Sequence, residues 1–209
     1  APGVDETTGK RTRQELKARQ TREALCRATI ACLDRYGYSE TSIGRITEEA
    51  GVSRGALTHH YKAKEDLIVD AVERMLQARI DLPLPSSRQG NGLSPRELIR
   101  TDLLWVWKNL DTRNGRAFVE VLLASRTDAA LHGRISARLQ HWNREASAFI
   151  LRSYQAESGR DEDVLALWDI CRVFFRGLLV QKAFASSREE NQRLAEAFIE
   201  LVSGGFRPR

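Results

Sequence analysis

From about Arg13 onward the apolar positions recur with helical spacing. Leu25, Ala28, Thr29, Cys32, Leu33 and Tyr36 fall at i, i+3, i+4, i+7, i+8 and i+11, so they share one stripe of a helix. Gly37 stops that helix, as a glycine at a helix C-terminus does. A short second helix follows Thr41 or Ser42, either of which can cap its free amides, and turns Ile43, Ile46 and Ala50 inward. Gly51 ends it. Ser53 caps a third helix of about two turns with Leu57 and Tyr61 on its inner side. A fourth, from about Lys64 to Arg79, buries Leu67, Ile68, Ala71, Val72, Met75 and Leu76.

Residues 83–93 concentrate Pro, Gly, Ser and Asn and read as a loop and a boundary. Beyond it nothing has the alternation of a strand. Ser94-Pro95-Arg96-Glu97 combines an N-cap, a proline at the first helical position and the glutamate of a capping box, which predicts a helix to about Leu110. Further helices are expected over 114–126, 129–155 and 163–185. The last should open on a Ser186/Glu189 capping box and end at Gly204-Gly205. The class is all-α, with about nine helices. The expected division is a mobile tail (1–12), a compact three-helix domain (13–62), a connecting helix (63–82) and a larger helical domain (83–209).

Composition narrows the functions. No apolar stretch approaches the roughly 20 residues that span a bilayer, and the most apolar run, Val173 to Val180, is interrupted by Arg176. The first residues lack the apolar core of a secretory signal, so a cytoplasmic location is expected and no membrane partner. Cys26, Cys32 and Cys171 are odd in number and lack CxxC spacing, which argues against disulfides or zinc. No HExxH, nucleophile elbow or phosphate loop appears, and His132 and His141 lie nine apart without a partner pattern, so neither an enzyme nor a cofactor is expected. A net charge of +5 is compatible with a polyanion but decides nothing alone. Its distribution says more: Lys10, Arg11, Arg13, Lys17, Arg19 and Arg22 face only Glu15 over residues 10–22.

The segment TSIGRITEEAGVSRGALTHHY, residues 41–61, has the order of a helix-turn-helix. Ala50 lets the two helices approach, Gly51 adopts the left-handed turn and Val52 plugs the angle between them. At about 100° per residue, Leu57 and Tyr61 face the core while Gly55 and His59 point away, flanked by Arg54, Thr58 and His60. That face suits a major groove, because Arg54 can bond guanine O6 and N7 and Gly55 admits the backbone close to a phosphate or base edge. Lys64 opens the next helix and can join its amides on a phosphate. His59 and His60 are adjacent and point about 100° apart, so they are no metal pair.

The longer run TSIGRITEEAGVSRGALTHHYKAKEDLI resembles the DNA-binding signature of the TetR family of bacterial transcription regulators, from about Thr21 through the fourth helix. The resemblance implies that Thr41, Ser42, Arg45, Ser53, Arg54, Gly55, Thr58, His59, His60, Tyr61 and Lys64 stand where the family commonly touches DNA. Two departures stand out. Thr58 occupies a place where tyrosine is usual, and Ala63 replaces a Ser or Asn cap, giving up about 1 kcal/mol.

The resemblance further implies a homodimer on a palindromic double-stranded operator, released by a small apolar or aromatic effector that changes the separation of the DNA-binding heads. The alternative is a ligand-independent, architectural DNA binder. In that family the last two helices pair with their symmetry mates as a four-helix bundle. Here both are apolar on more than one stripe, and Trp168, Phe175, Gly177, Leu178, Phe198, Leu201 and Val202 are the expected dimer interface. All four tryptophans follow the boundary loop, and Trp105, Phe118, Trp142 and Phe174 are the expected pocket lining; Trp105 and Trp107, two apart, cannot both face one pocket.

Overall fold

The structure, a computed structural model, describes residues 6–80, 84 and 92–209, with side chains of residues 12–78, 84 and 92–209. The first residues of the expected tail and nearly all of the expected boundary loop, along with the Lys10 and Arg11 side chains, lie outside the described residues. Residues 6–12, expected in the tail, are helical.

Among the described residues the chain forms nine α-helices: α1 (Glu6–Glu40), α2 (Ile43–Ala50), α3 (Arg54–His60), α4 (Lys64–Ile80), α5 (Pro95–Leu110), α6 (Arg113–Ser125), α7 (Ala129–Ser153), α8 (Asp161–Gln181) and α9 (Arg188–Ser203). A break at Gly37, φ 75°, interrupts α1 where the pattern placed its end. No helix among them is long and apolar enough to cross a membrane.

The expectation of no strand is corrected. Tyr154–Ala156 (β1) pairs antiparallel with Phe206–Pro208 (β2), Gln155 opposite Arg207. Three residues are too few to carry a period of two, so the alternation that marks longer strands is missing. The pairing ends α7 at Ser153 and folds the C-terminus back, where Phe206 meets Tyr154 edge-on with centroids 6.0 Å apart. The cap of α9 also shifts by one residue: Ser187, not Ser186, accepts the Glu190 N–H.

Three buried clusters divide the core. Leu25, Cys26, Cys32, Ile46, Leu57, Tyr61 and Leu67 hold α1 to α4 together around the helix-turn-helix. Ile30 and Leu33 of α1, with Ile68, Val72 and Met75 of α4, pack against Phe118, Leu131, Ile135 and Trp142. Trp107, Phe175, Leu178 and Ile199 centre the third. Helices α1 and α4 thus contribute to two cores at once, and the helix-turn-helix unit is bolted to the C-terminal half by shared side chains.

A charged joint reinforces the same seam. Arg116 of α6 donates Nε and Nη2 to the Asp34 carboxylate of α1 at 2.6 and 2.9 Å, and its Nη1 lies 3.6 Å from Asp111, the C-cap of α5. Lys182, just past α8, donates to both Asp111 oxygens at 2.7 Å. The corner between α5 and α6 is correspondingly tight. A Cβ on Gly115 would lie 1.7 Å from the Leu110 carbonyl oxygen, so only glycine allows this approach.

Candidate nucleic-acid interface and ligand cavity

Local chemistry fixes how α3 is presented. Ser42 caps α2 by accepting the Arg45 N–H at 3.3 Å, so of the two possible caps the sequence offered it is the one used. Gly51 takes the left-handed conformation, φ 65°, and turns the chain, while Ser53 accepts the Ala56 N–H at 3.1 Å and opens α3. Ala63 has no hydroxyl, and Asp66 takes its N–H at 3.1 Å instead, the reverse half of a capping box. The missing cap is therefore offset from the third position of α4.

Leu57 and Tyr61 are buried beneath α3, and Arg54, Gly55, Thr58 and His59 form an exposed outer face. Arg54 makes no hydrogen bond or ion pair among the described residues. Thr58 bonds back to the Gly55 carbonyl at 3.1 Å, and His60, half-buried, sets its ring edge-on to His59 with centroids 5.2 Å apart. Burial first, then the His59 and Arg22 charges, hold the His60 imidazole below its ordinary pKa. Among the described residues no group of three or more His, Cys, Asp or Glu side chains could hold a metal ion.

The other residues brought forward by the resemblance are less free. Arg45 donates Nη1 to the Glu40 carbonyl at 2.9 Å and lies 4.4 Å over the Tyr36 ring. Lys64 is half-buried with its ammonium 4.6 Å over Tyr38. Two sit inside. Thr41 is buried and donates to the Gly37 carbonyl at 2.7 Å. Tyr61 is only 4% exposed, and its hydroxyl donates to Asp70 of α4.

Cys26 of α1 also donates to that Asp70 oxygen, at 3.4 Å, and the Arg74 guanidinium lies 3.8 Å from the other. Burial pushes the Cys26 thiol up to about 11, and burial and the Asp70 bond push Tyr61 well above the ordinary phenol range. Tyr61 therefore braces the end of α3 against α1 and α4. Arg22, whose guanidinium lies 5.8 Å from the Tyr61 ring, and exposed Lys62 add cations beside this brace. Arg22 was legible only as one charge of the basic arm, because its proximity to Tyr61 is tertiary.

In the C-terminal half a cavity of about 240 Å³ lies among α5, α7 and α8, lined by Trp105, Trp142, Phe149, Trp168, Asn109 and Arg172, among others. Trp105 and Trp142 are two of the four expected lining residues. The other two are corrected: Phe118 is fully buried under the Arg176 guanidinium, and Phe174 stacks on Phe198 at 3.9 Å, neither lining the cavity. Trp107 stacks on Phe175 in the core, away from Trp105. Trp168, expected at a dimer interface, belongs to the cavity wall.

Four further expected interface residues turn toward their own core. Phe175 and Leu178 are buried by their own chain, and Phe198 and Val202 pack against the same core. What α8 and α9 leave outside keeps the expected Gly177 and Leu201 (83% exposed) and adds Ile170, Val173 (65% exposed), Val180 and Leu194. The sequence showed two apolar stripes on each helix, and periodicity alone could not say which one faced inward.

A capped, glycine-turned pair of short helices, with the second pushed outward and braced from behind, defines a helix-turn-helix domain on an all-α body. Residues 25–71 match the profile of "Bacterial regulatory proteins, tetR family". It is 35% identical over 79 residues to the HTH-type transcriptional regulator BetI 1 of Chromohalobacter salexigens, a stretch covering 38% of this chain and 39% of that one. The chain thus spans less than half the length of that relative. To the HTH-type transcriptional repressor Rv1474c of Mycobacterium tuberculosis it is 28% identical over 183 residues, 84% of this chain and 87% of the repressor. Its fold is similar to that of the multidrug binding protein EbrR complexed with ethidium, with a TM-score of 0.56 at 19% identity over 87% of this chain and 98% of that one.

Proposed function

We propose that the chain is a sequence-specific, ligand-responsive repressor that binds a palindromic DNA operator as a homodimer and is released by a small molecule. The observation that carries the reading is the outer face of α3. It offers an uncommitted guanidinium at Arg54, a glycine at Gly55 and two imidazoles, on a helix braced by Leu57 and Tyr61. Arg54 reads a guanine edge, while Ser42, Ser53, Lys64 and the α1 cations at Arg13, Lys17, Arg19 and Arg22 hold the phosphates. A two-fold dimer across Ile170, Val173, Gly177, Val180, Leu194 and Leu201 sets two α3 helices about 34–36 Å apart or a multiple of it.

The cavity supplies the release. Asn109 and Leu110 line it at the end of α5, and the next residue, Asp111, meets Arg116, which grips Asp34 of the DNA-binding half. A ligand that displaces the end of α5 therefore strains a joint that orients α1. Only a ligand that prefers one arrangement of that joint shifts the population. The EbrR–ethidium complex supports a small-molecule occupant, and the similarity to the repressor Rv1474c supports repression.

Selection of bound DNA from a random library, followed by competition at two salt concentrations, tests the reading. A palindromic site should emerge, and its complex should survive excess random DNA. Binding that selects no site and vanishes with added salt identifies an architectural binder instead.

A further inference from the structure

We infer that the cavity takes an aromatic or similarly apolar carboxylate, its ring among the tryptophans and its anionic end on Arg172. This rests on the effector reading above and names the ligand's chemical class. An apolar cavity of about 150 Å³ holds benzene. At the same packing, about 240 Å³ holds on the order of ten non-hydrogen atoms, one ring with a short substituent. Trp105, Trp142, Phe149 and Trp168 supply flat apolar walls for the ring.

Arg172 decides the substituent. Its Nη1 donates to Asn143 of α7 at 2.6 Å and its Nη2 to Asp169 at 2.7 Å, which fixes the guanidinium plane. Nη1 and Nη2 each keep a second N–H, and because the side chain lines the cavity an acceptor brought by the ligand can take one of them. Because the donor is charged and sits in a desolvated wall, a carboxylate gains more there than a neutral carbonyl. Asp169 is itself 60% exposed, so it neutralises the guanidinium only weakly.

The opposite assignment, a cation on Glu145, is weaker. Glu145 lines the same cavity but is exposed, so a cation paired with it stays in water and is screened. Arg152, also exposed at the rim, further disfavours a cation.

Isothermal titration of the full chain with phenylacetate, phenylacetamide and phenethylamine tests the class, since the three share a ring and differ in charge. Phenylacetate should bind at least about tenfold more tightly than the amide, with the amine weakest. Arg172→Gln should abolish that preference, whereas Glu145→Gln, which leaves the α7–α8 joint through Arg172 intact, should preserve it. Equal binding of acid and amide, tighter binding of the amine, or no binding of phenylacetate at about ten times the concentration of protein sites overturns the inference. So does loss of the preference in Glu145→Gln. Operator affinity measured with and without phenylacetate separates the two readings: a carboxylate that binds through Arg172 yet leaves operator affinity unchanged upholds the ligand class and removes the effector role.

Discussion

Both ends of this molecule leave a surface unfinished, and they do so with opposite chemistry. At α3 the apolar side is consumed by the local core and the face left in water carries Arg54, Thr58 and His59. At α8 and α9 the core is equally complete, with Phe175, Cys171 and Ile199 fully buried, yet the face left in water carries Ile170, Val173 and Leu201. A polar face on a short, braced helix is at no cost in water. An apolar stripe on two long helices is unfavourable in water until a like surface covers it. On the proposed function, the first region is complementary to something unlike itself and the second to its own copy.

The largest effect should come from spoiling the second surface. Ile170→Arg with Val173→Arg places two charges in the exposed stripe without touching the core beneath it. The chain should sediment as a monomer with its helicity intact, and operator affinity should fall about a thousandfold, because one head alone reads half a palindrome. A double variant that remains dimeric would show that α8 is not the contact and dissolve the contrast.

A smaller and more selective effect belongs to the first surface. Arg54→Ala should cost roughly 1–3 kcal/mol on the operator and relax the choice of base at one position of each half-site. Lys64→Ala should weaken operator and random DNA alike and flatten the salt dependence. Anisotropy titrations on both DNAs at two salt concentrations separate the two patterns, and identical losses would contradict the assigned roles.

The sequence was uneven in what it disclosed, and the unevenness has a physical cause. Ser42, Gly51, Ser53 and Leu57 act through neighbours three to five residues away, so their spacing alone predicted the caps, the turn and the inner face. The C-terminal half is governed by contacts between distant helices. Phe174 and Phe175 are adjacent, yet one stacks on Phe198 and the other on Trp107, and nothing local foretold that neither would reach the cavity. Trp168 and Arg172, four apart on α8, share the cavity wall, but the stripe they form was masked by apolar residues on both sides. Tyr61 shows the same limit at the legible end: its helical phase was clear, while the Asp70 carboxylate that holds it comes from α4.

The finest probe of the polar face is the proton. The His60 imidazole is held below its ordinary value in the free protein, so as the pH falls through about 6.5 the unfolded chain takes up this proton before the fold does. Stability from this group is therefore full above that value and declines as the pH falls below it. Phosphates act in the other direction. Set beside α3 they favour the imidazolium of His60, so the complex takes up a proton that the free protein does not hold, and DNA affinity must rise as pH falls. From about pH 7.5 to about 6 the dissociation constant should tighten several-fold while the melting temperature drops, and His60→Gln should flatten both trends. A dissociation constant that weakens on acidification while the chain stays folded would place His60 away from the phosphates, leaving Arg54 and Gly55 to define the polar face without it.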